Sequence, residues 1–229
     1  RTRSGLVAPG CGRRGRRGAM AATGAFSLRE VLDAFQRCVT ERQEVLLEPY
    51  LNGWWGLIRF LQRLGAVFAF ISKDAVAKVE LMEGLCRGSQ REHYVSLQAM
   101  VQFELCRGPG ELRGRPGSGC RTVLRLHRAL LWLQLFLEGL RTSSRNSRTS
   151  VICTDAYNAS LAAHHPWVVR KAATVAFCAL PCRDTFLEIM NVGPAEEAVA
   201  MLGEAIPYIQ SVYGITQELF AQHKLLDLP

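Results

Sequence analysis

CRTVLRLHRALLWLQLFLEGLRTS, Cys120 to Ser143, is the stretch that decides the fold class. Apolar residues recur there at spacings of three and four and cover most of the circumference. That pattern predicts a long helix over 121–140, set centrally among other helices. Its greasiest run, Ala129 to Leu137, is interrupted by Gln134 and flanked by Arg128 and Glu138, so it falls short of the ~18 uninterrupted apolar residues of a membrane span. Arg121 and Arg125 are four apart and share one face, with Arg128 continuing the line at i+7, opposite Leu124, Leu131 and Leu135.

Working outward, the 3.6-residue period persists. Ser27 with Glu30 three residues later reads as a capping box opening a helix whose buried stripe is Leu28, Val31, Leu32, Phe35 and Val39. A second helix is predicted from 45 or 49 to 71, ~25 residues and ~37 Å long, with Leu57, Phe60, Leu61, Leu64, Val67, Phe68 and Ile71 inward. A third starts at Ser72 and a fourth covers 90–105. Residues 106–119 (CRGPGELRGRPGSG) lack periodicity and read as a loop. Beyond the central helix come helices over 150–163, from Pro166 to near Leu180, over 183–190 and over 195–223. No hairpin signal, phosphate-binding glycine loop or internal repeat is present. The prediction is an all-α chain with one domain.

With 229 residues, 48% apolar and 21% charged, the chain has the composition of a folded, soluble protein. The formal charge of +8 would suggest nucleic acid or an anionic membrane as partner. Its location changes that reading. Residues 1–19 (RTRSGLVAPGCGRRGRRGA) hold six arginines and no acid, which leaves +2 for the remainder. That leader has neither the apolar core of a secretory signal nor the amphipathic helix of a transit peptide. It reads as a disordered basic extension, upstream of a natural start at Met20; a nucleic-acid arm is the alternative. The domain is expected over 20–229. The eight cysteines are scattered, with no CxxC pair and no His at metal spacing, and read as reduced and mostly buried, Cys178 and Cys182 included. Asn158-Ala159-Ser160 matches a glycosylation sequon, and without a secretory route is expected to stay unmodified.

Three groups of residues could carry chemistry. Arg121 and Arg125 form either a solvated basic face or a guanidinium fork for a phosphate; their place on an otherwise apolar helix favours an anion. Asp74 and Lys78 are four apart in the order that favours a surface ion pair. His164-His165-Pro166-Trp167 holds His165 extended before a proline at a helix start, with Trp167, Arg170 and Lys171 following; a capping histidine and a core tryptophan are the plainer readings. No nucleophile elbow, zinc motif or paired acids suggest catalysis.

FISKDAVAK (Phe70–Lys78), CRTVLRLHRAL (Cys120–Leu130), LFLEGLRTS (Leu135–Ser143), YNASLAAHHPWVVRKA (Tyr157–Ala172) and the ending KLLDLP together resemble the glycolipid transfer protein superfamily, over about Phe26 to Pro229. Within it the chain is similar to the branch that carries ceramide 1-phosphate. The resemblance implies a two-layer all-α sandwich of about eight helices enclosing an apolar tunnel, no catalysis and no cofactor or metal. Carried over, Asp74 accepts from the sphingoid amide and hydroxyl, His165 binds the amide carbonyl, and Lys78, Arg121 and Arg125 hold the phosphate. Where the glycolipid branch has Asn and a sugar-stacking Trp, this chain has Lys78 and Arg125, which favours an anion over a neutral sugar.

Expected tunnel walls are Leu28, Leu32, Phe60, Val67, Ile71, Trp132 and Phe136, residues that an ordinary helical core would also bury. Membrane docking falls to Trp167, Arg170 and Lys171. Two departures stand out: the loop before Cys120, where the family supplies a further basic residue, leaves that role to Arg113 or Arg115, and His164 replaces a tyrosine. The resemblance further implies a monomer that binds no nucleic acid, working in the cytosol with peripheral contact to Golgi, plasma, endosomal and nuclear membranes. The alternative is a ceramide 1-phosphate sensor that signals through a protein partner.

Overall fold

Gly65 divides what the periodicity reads as a single second helix. Its φ of +94° lies in the left-handed region that only glycine enters without strain, so the chain turns there and restarts. The computed structural model describes residues 25–108, 112 and 117–229, without the side chains of 66, 67, 69 and 70. The basic extension 1–19, Cys11, Met20, Arg113 and Arg115 therefore lie outside the described residues.

Among those residues there are nine α-helices: α1 Leu28–Gln36, α2 Leu47–Arg63, α3 Ala66–Arg87, α4 Leu97–Cys106, α5 Gly119–Thr142, α6 Thr149–Ala159, α7 Trp167–Phe177, α8 Arg183–Ile189 and α9 Ala195–Gln222. Short 3₁₀ turns at Arg91–His93 and Ala162–His164 link α3 to α4 and α6 to α7. The helices form a two-layer sandwich in which α1 lies on α2 and α9, α3 joins α2 to α5, and α5 also meets α6 and α9. As the sequence predicts, α5 is central: thirteen of its residues are buried, among them Trp132, Leu133, Phe136 and Leu140.

Several local expectations are corrected. Ser27 takes the N-cap position of α1 but caps no amide, and Glu30 pairs with Arg59 of α2 instead of reaching back to Ser27. An ion pair with a largely buried guanidinium there outweighs a solvent-side capping box. Ser72 starts no helix; it is buried within α3. The predicted helix over 90–105 is a 3₁₀ turn followed by α4, which Ser96 caps by accepting from the Ala99 amide. The helix predicted over 150–163 ends at Ala159. Cys178 and Cys182 are exposed, as is Cys106, while Cys38, Cys120 and Cys153 are buried. The two exposed thiols of CALPC sit where α7 ends and α8 begins, beyond the reach of the core. Close packing of α1 on α2 rests on Gly56, where a Cβ would come within 2.6 Å of Val31.

Candidate lipid head-group site

The N-terminus of α5 is built around a buried carboxylate. Glu104 of α4 accepts from the Gly119 amide (2.7 Å) and the Tyr94 hydroxyl (3.1 Å) on Oε1, and from the Ser118 hydroxyl (2.7 Å) and the Cys120 amide (3.1 Å) on Oε2. Ser118 in turn accepts from the Arg121 amide, closing the cap. A negative charge against the positive end of a long helix is stabilising, and here it satisfies the amides that have no partner within the helix. The result holds the first turn of α5, and hence Arg121 and Arg125, in a set orientation.

Arg121 is half-buried and Arg125 exposed. The Arg121 Nε donates to the Pro229 carbonyl (3.3 Å), and the half-buried Arg128 donates through Nη2 to the Leu226 carbonyl (2.7 Å). On the neighbouring α3, Lys78 and Asp74 form the predicted ion pair, with the lysine side chain 15% exposed and the carboxylate 64%. The lysine is thus largely covered while its carboxylate partner faces solvent.

His165 is extended (φ −112°, ψ 139°) between the 3₁₀ turn and Pro166, as the sequence predicts. Its Nδ1 lies 2.7 Å from the Tyr157 hydroxyl of α6. Burial holds the imidazole below its ordinary pKa, against an opposing pull from Asp74, and burial likewise keeps the Tyr157 hydroxyl protonated beyond its usual range. Where the Tyr157 hydroxyl donates to Nδ1, the neutral ring carries its proton on Nε2. His164 is also held low, first by burial and then by the charges of Arg128 and His165. Asp74, His164, His165, Arg125 and Arg128 thus act on one another electrostatically across α3, α5 and the 162–165 corner. No sequence signal marks Tyr157 or Glu104 as part of this region, and only the i+7 spacing of Arg128 from Arg121 points to Arg128.

From Tyr157 a continuous series of rings leads inward: Phe177 at 5.5 Å between centroids, Trp132 at 6.1 Å from Phe177, Phe136 at 6.5 Å, Phe186 at 5.3 Å, Phe60 at 6.1 Å and Phe26 at 5.3 Å. Of the expected tunnel walls, Leu28, Leu32, Phe60, Trp132 and Phe136 are buried and Ile71 is partly so; the Val67 side chain lies outside the described residues. Leu32 also borders a groove of about 270 Å³ between α1 and α9.

α7 presents its apolar side outward. Trp167 is 63% exposed, Val168 68% and Val175 73%, and only Phe177 of this helix is buried. That excludes the plainer reading of Trp167 as a core residue. At 100° per residue, Trp167, Lys171, Val175 and Val168 fall within a ~100° arc, with Arg170 beside it. The Lys171 ammonium lies 6.0 Å from the Trp167 ring centroid. Among the described residues, no helix is long and apolar enough to cross a membrane.

The helical sandwich thus has an aromatic interior whose ring series reaches a histidine through Tyr157, with a carboxylate and a row of arginines on neighbouring elements. Residues 45–192 match the model of the glycolipid transfer protein family, and the chain belongs to that family. It is 63% identical over 207 residues to the human (Homo sapiens) ceramide-1-phosphate transfer protein, covering 89% of this chain and 97% of that protein. The zebrafish (Danio rerio) protein of the same name is 52% identical over 208 residues, covering 90% and 99%. Among solved structures, mouse ceramide-1-phosphate transfer protein in its apo form superposes with a TM-score of 0.86 at 60% identity, covering 89% of this chain and all of that one. The human protein in complex with 12:0 ceramide-1-phosphate superposes with a TM-score of 0.84 at 61% identity, covering 90% and 100%.

Proposed function

We propose that this chain transfers ceramide 1-phosphate between membranes without vesicles, holding the phosphate at Lys78, Arg121 and Arg125 and the hydrocarbon chains in its apolar interior. The observation that carries the reading is the ring series running from Phe26 to Tyr157 and ending at His165, beside Asp74. Hydrocarbon enters from one side and polar groups meet it at the other.

Each buried CH₂ gains about 0.8 kcal/mol on leaving water, but a bilayer offers the chains the same gain. Chain burial therefore makes carriage through water feasible without favouring the protein over a membrane, and selectivity falls to the head group. A phosphate monoester carries roughly −1.5 to −2 charges near neutral pH, which three cations match. On binding, the ligand amide and hydroxyl take over Asp74 as Lys78 turns to the phosphate. The His165 Nε2–H donates to the amide carbonyl. The chains enter by parting aromatic rings that pack on one another in the empty protein. No bond is made or broken in this cycle, so the protein acts as a carrier and not as a catalyst.

Uptake and release occur where α7 meets a bilayer. Trp167, Val168 and Val175 enter the interface while Arg170 and Lys171 face anionic head groups. In this reading the protein works from the cytosol as a monomer and touches Golgi, plasma, endosomal and nuclear membranes only transiently.

The test offers ceramide 1-phosphate, galactosylceramide and phosphatidic acid in parallel as donors in purified phosphatidylcholine vesicles, with no other protein present. Ceramide 1-phosphate is expected to move fastest, and Arg125→Leu is expected to slow it by about tenfold, the loss of a charge-assisted contact. Equal transfer of galactosylceramide, or full activity of Arg125→Leu, would remove the basis of the reading.

A further inference from the structure

The segment that follows α9 is folded against the arginines of α5. Lys224 takes a left-handed φ of +54°, the Leu225 amide donates back to the Phe220 carbonyl at 2.8 Å, and Leu225 and Leu228 bury their side chains to 3% and 5% exposure. This geometry carries the main chain back along α5. The Leu226 carbonyl meets Arg128 at 2.7 Å, and the Pro229 carbonyl meets Arg121 at 3.3 Å. The Leu228 amide donates to the Leu225 carbonyl at 3.3 Å, so the segment makes a turn over α5. Arg128 Nη2 also lies 3.5 Å from the Leu228 carbonyl, so Arg128 holds the turn and Arg121 meets its last residue. Arg125 lies on the same line between the two anchored guanidinium groups.

The Leu226 and Leu228 carbonyls are neutral acceptors that orient the Arg128 guanidinium without cancelling its charge. The contact of the Arg121 Nε with the Pro229 carbonyl removes rotamer freedom of that side chain on folding rather than on binding. The Asp227 side chain acts on Arg128, the residue that anchors the tail and to which no phosphate contact is assigned.

We infer that Leu226–Pro229 is a positioning strap for the head-group site, anchored on Arg128 and setting the orientation in which the Arg121 guanidinium meets the phosphate. The inference rests on the transfer of ceramide 1-phosphate proposed above, and assigns the tail a part in that same site.

The experiment measures transfer of ceramide 1-phosphate from phosphatidylcholine vesicles, with melting temperatures recorded alongside. Two variants loosen the strap without altering Arg121: a chain ending at Asp227, and Arg128→Met, which removes the anchor and leaves the tail in place. Each is then repeated in an Arg121→Lys background, which keeps a charge at 121 but has no guanidinium to orient. The expected result is about a tenfold loss for either variant in the native background and no more than twofold in the Arg121→Lys background. A general loss of stability would act equally in both, so losses that multiply overturn the inference, as does transfer within twofold of the unaltered chain. If the unaltered chain itself fails to transfer ceramide 1-phosphate, it is the functional reading that falls.

Discussion

The hydroxyl of Tyr157 lies 2.7 Å from Nδ1 of His165, joining α6 to the extended residue before Pro166. This contact fixes the orientation of the imidazole and occupies its Nδ1. Tyr157→Phe keeps the ring packed on Phe177 and removes only the hydroxyl. The expected outcome is a roughly fivefold slower transfer of ceramide 1-phosphate, with a stability loss of about 1 kcal/mol, the usual value of one hydrogen bond. Vesicle transfer and urea unfolding, run on the same preparation, check both. Unchanged transfer would show that His165 needs no orienting partner.

Glu104 makes a second prediction, about stability. Four donors converge on its carboxylate, two of them amides of the first turn of α5. Glu104→Gln preserves shape but turns an NH₂ group toward donors and removes the charge from the helix terminus. Unfolding in urea is expected to show a loss of about 2–4 kcal/mol, larger than any exposed substitution on α5.

The buried His127 sets a pH dependence. Its Nε2 meets Gln217 Oε1 at 2.7 Å, and its ring lies 4.1 Å from that of Tyr213, nearly parallel at 7°. Burial pushes its pKa down from 6.5 to about 4, with the Gln217 hydrogen bond opposing that shift. Between those values the unfolded chain binds the proton more readily than the folded one. Stability contributed by neutral His127 is therefore full above pH 6.5 and is lost as pH falls toward 4, by up to about 3 kcal/mol. His164 and His165 shift in the same direction but are less deeply buried. Urea unfolding at pH 7.5 and 4.5 should show the loss, and His127→Phe, which keeps a ring against Tyr213, should reduce it.

For the docking surface, Trp167→Ala is expected to leave the unfolding midpoint unchanged, since the ring is 63% exposed. Partitioning to vesicles containing phosphatidylserine should fall by roughly tenfold, the loss of one large interfacial side chain. Sedimentation with vesicles measures it, and undiminished binding would place the docking face elsewhere on the molecule.

Helices were the most legible part of the molecule because their signal is local. The 3.6-residue period of 120–143 marks α5, and Pro166 and Pro194 stand immediately before α7 and α9. The candidate site was legible to the same depth: Arg121 with Arg125, and Asp74 with Lys78, share faces because four residues make about one turn. What supports those residues was not. Glu104 reads as one acid among twenty, and nothing near it in the chain says that the Ser118–Cys120 turn will close over it. The exposed Cys178 and Cys182 make the same point in reverse, since an apolar neighbourhood in sequence did not bring burial in space.

By itself, then, the sequence determined an all-helical chain and a basic row on its central helix, since each depends on spacing within one helix. Only the tertiary structure decided that a carboxylate from α4 caps α5, that Tyr157 sets His165, that Gln217 reaches His127 across ninety residues, and that the tail lies along the arginines. These pairings join segments far apart in the chain. They are selected by which polar groups must find partners once the helices have packed, a condition that exists only in the folded state.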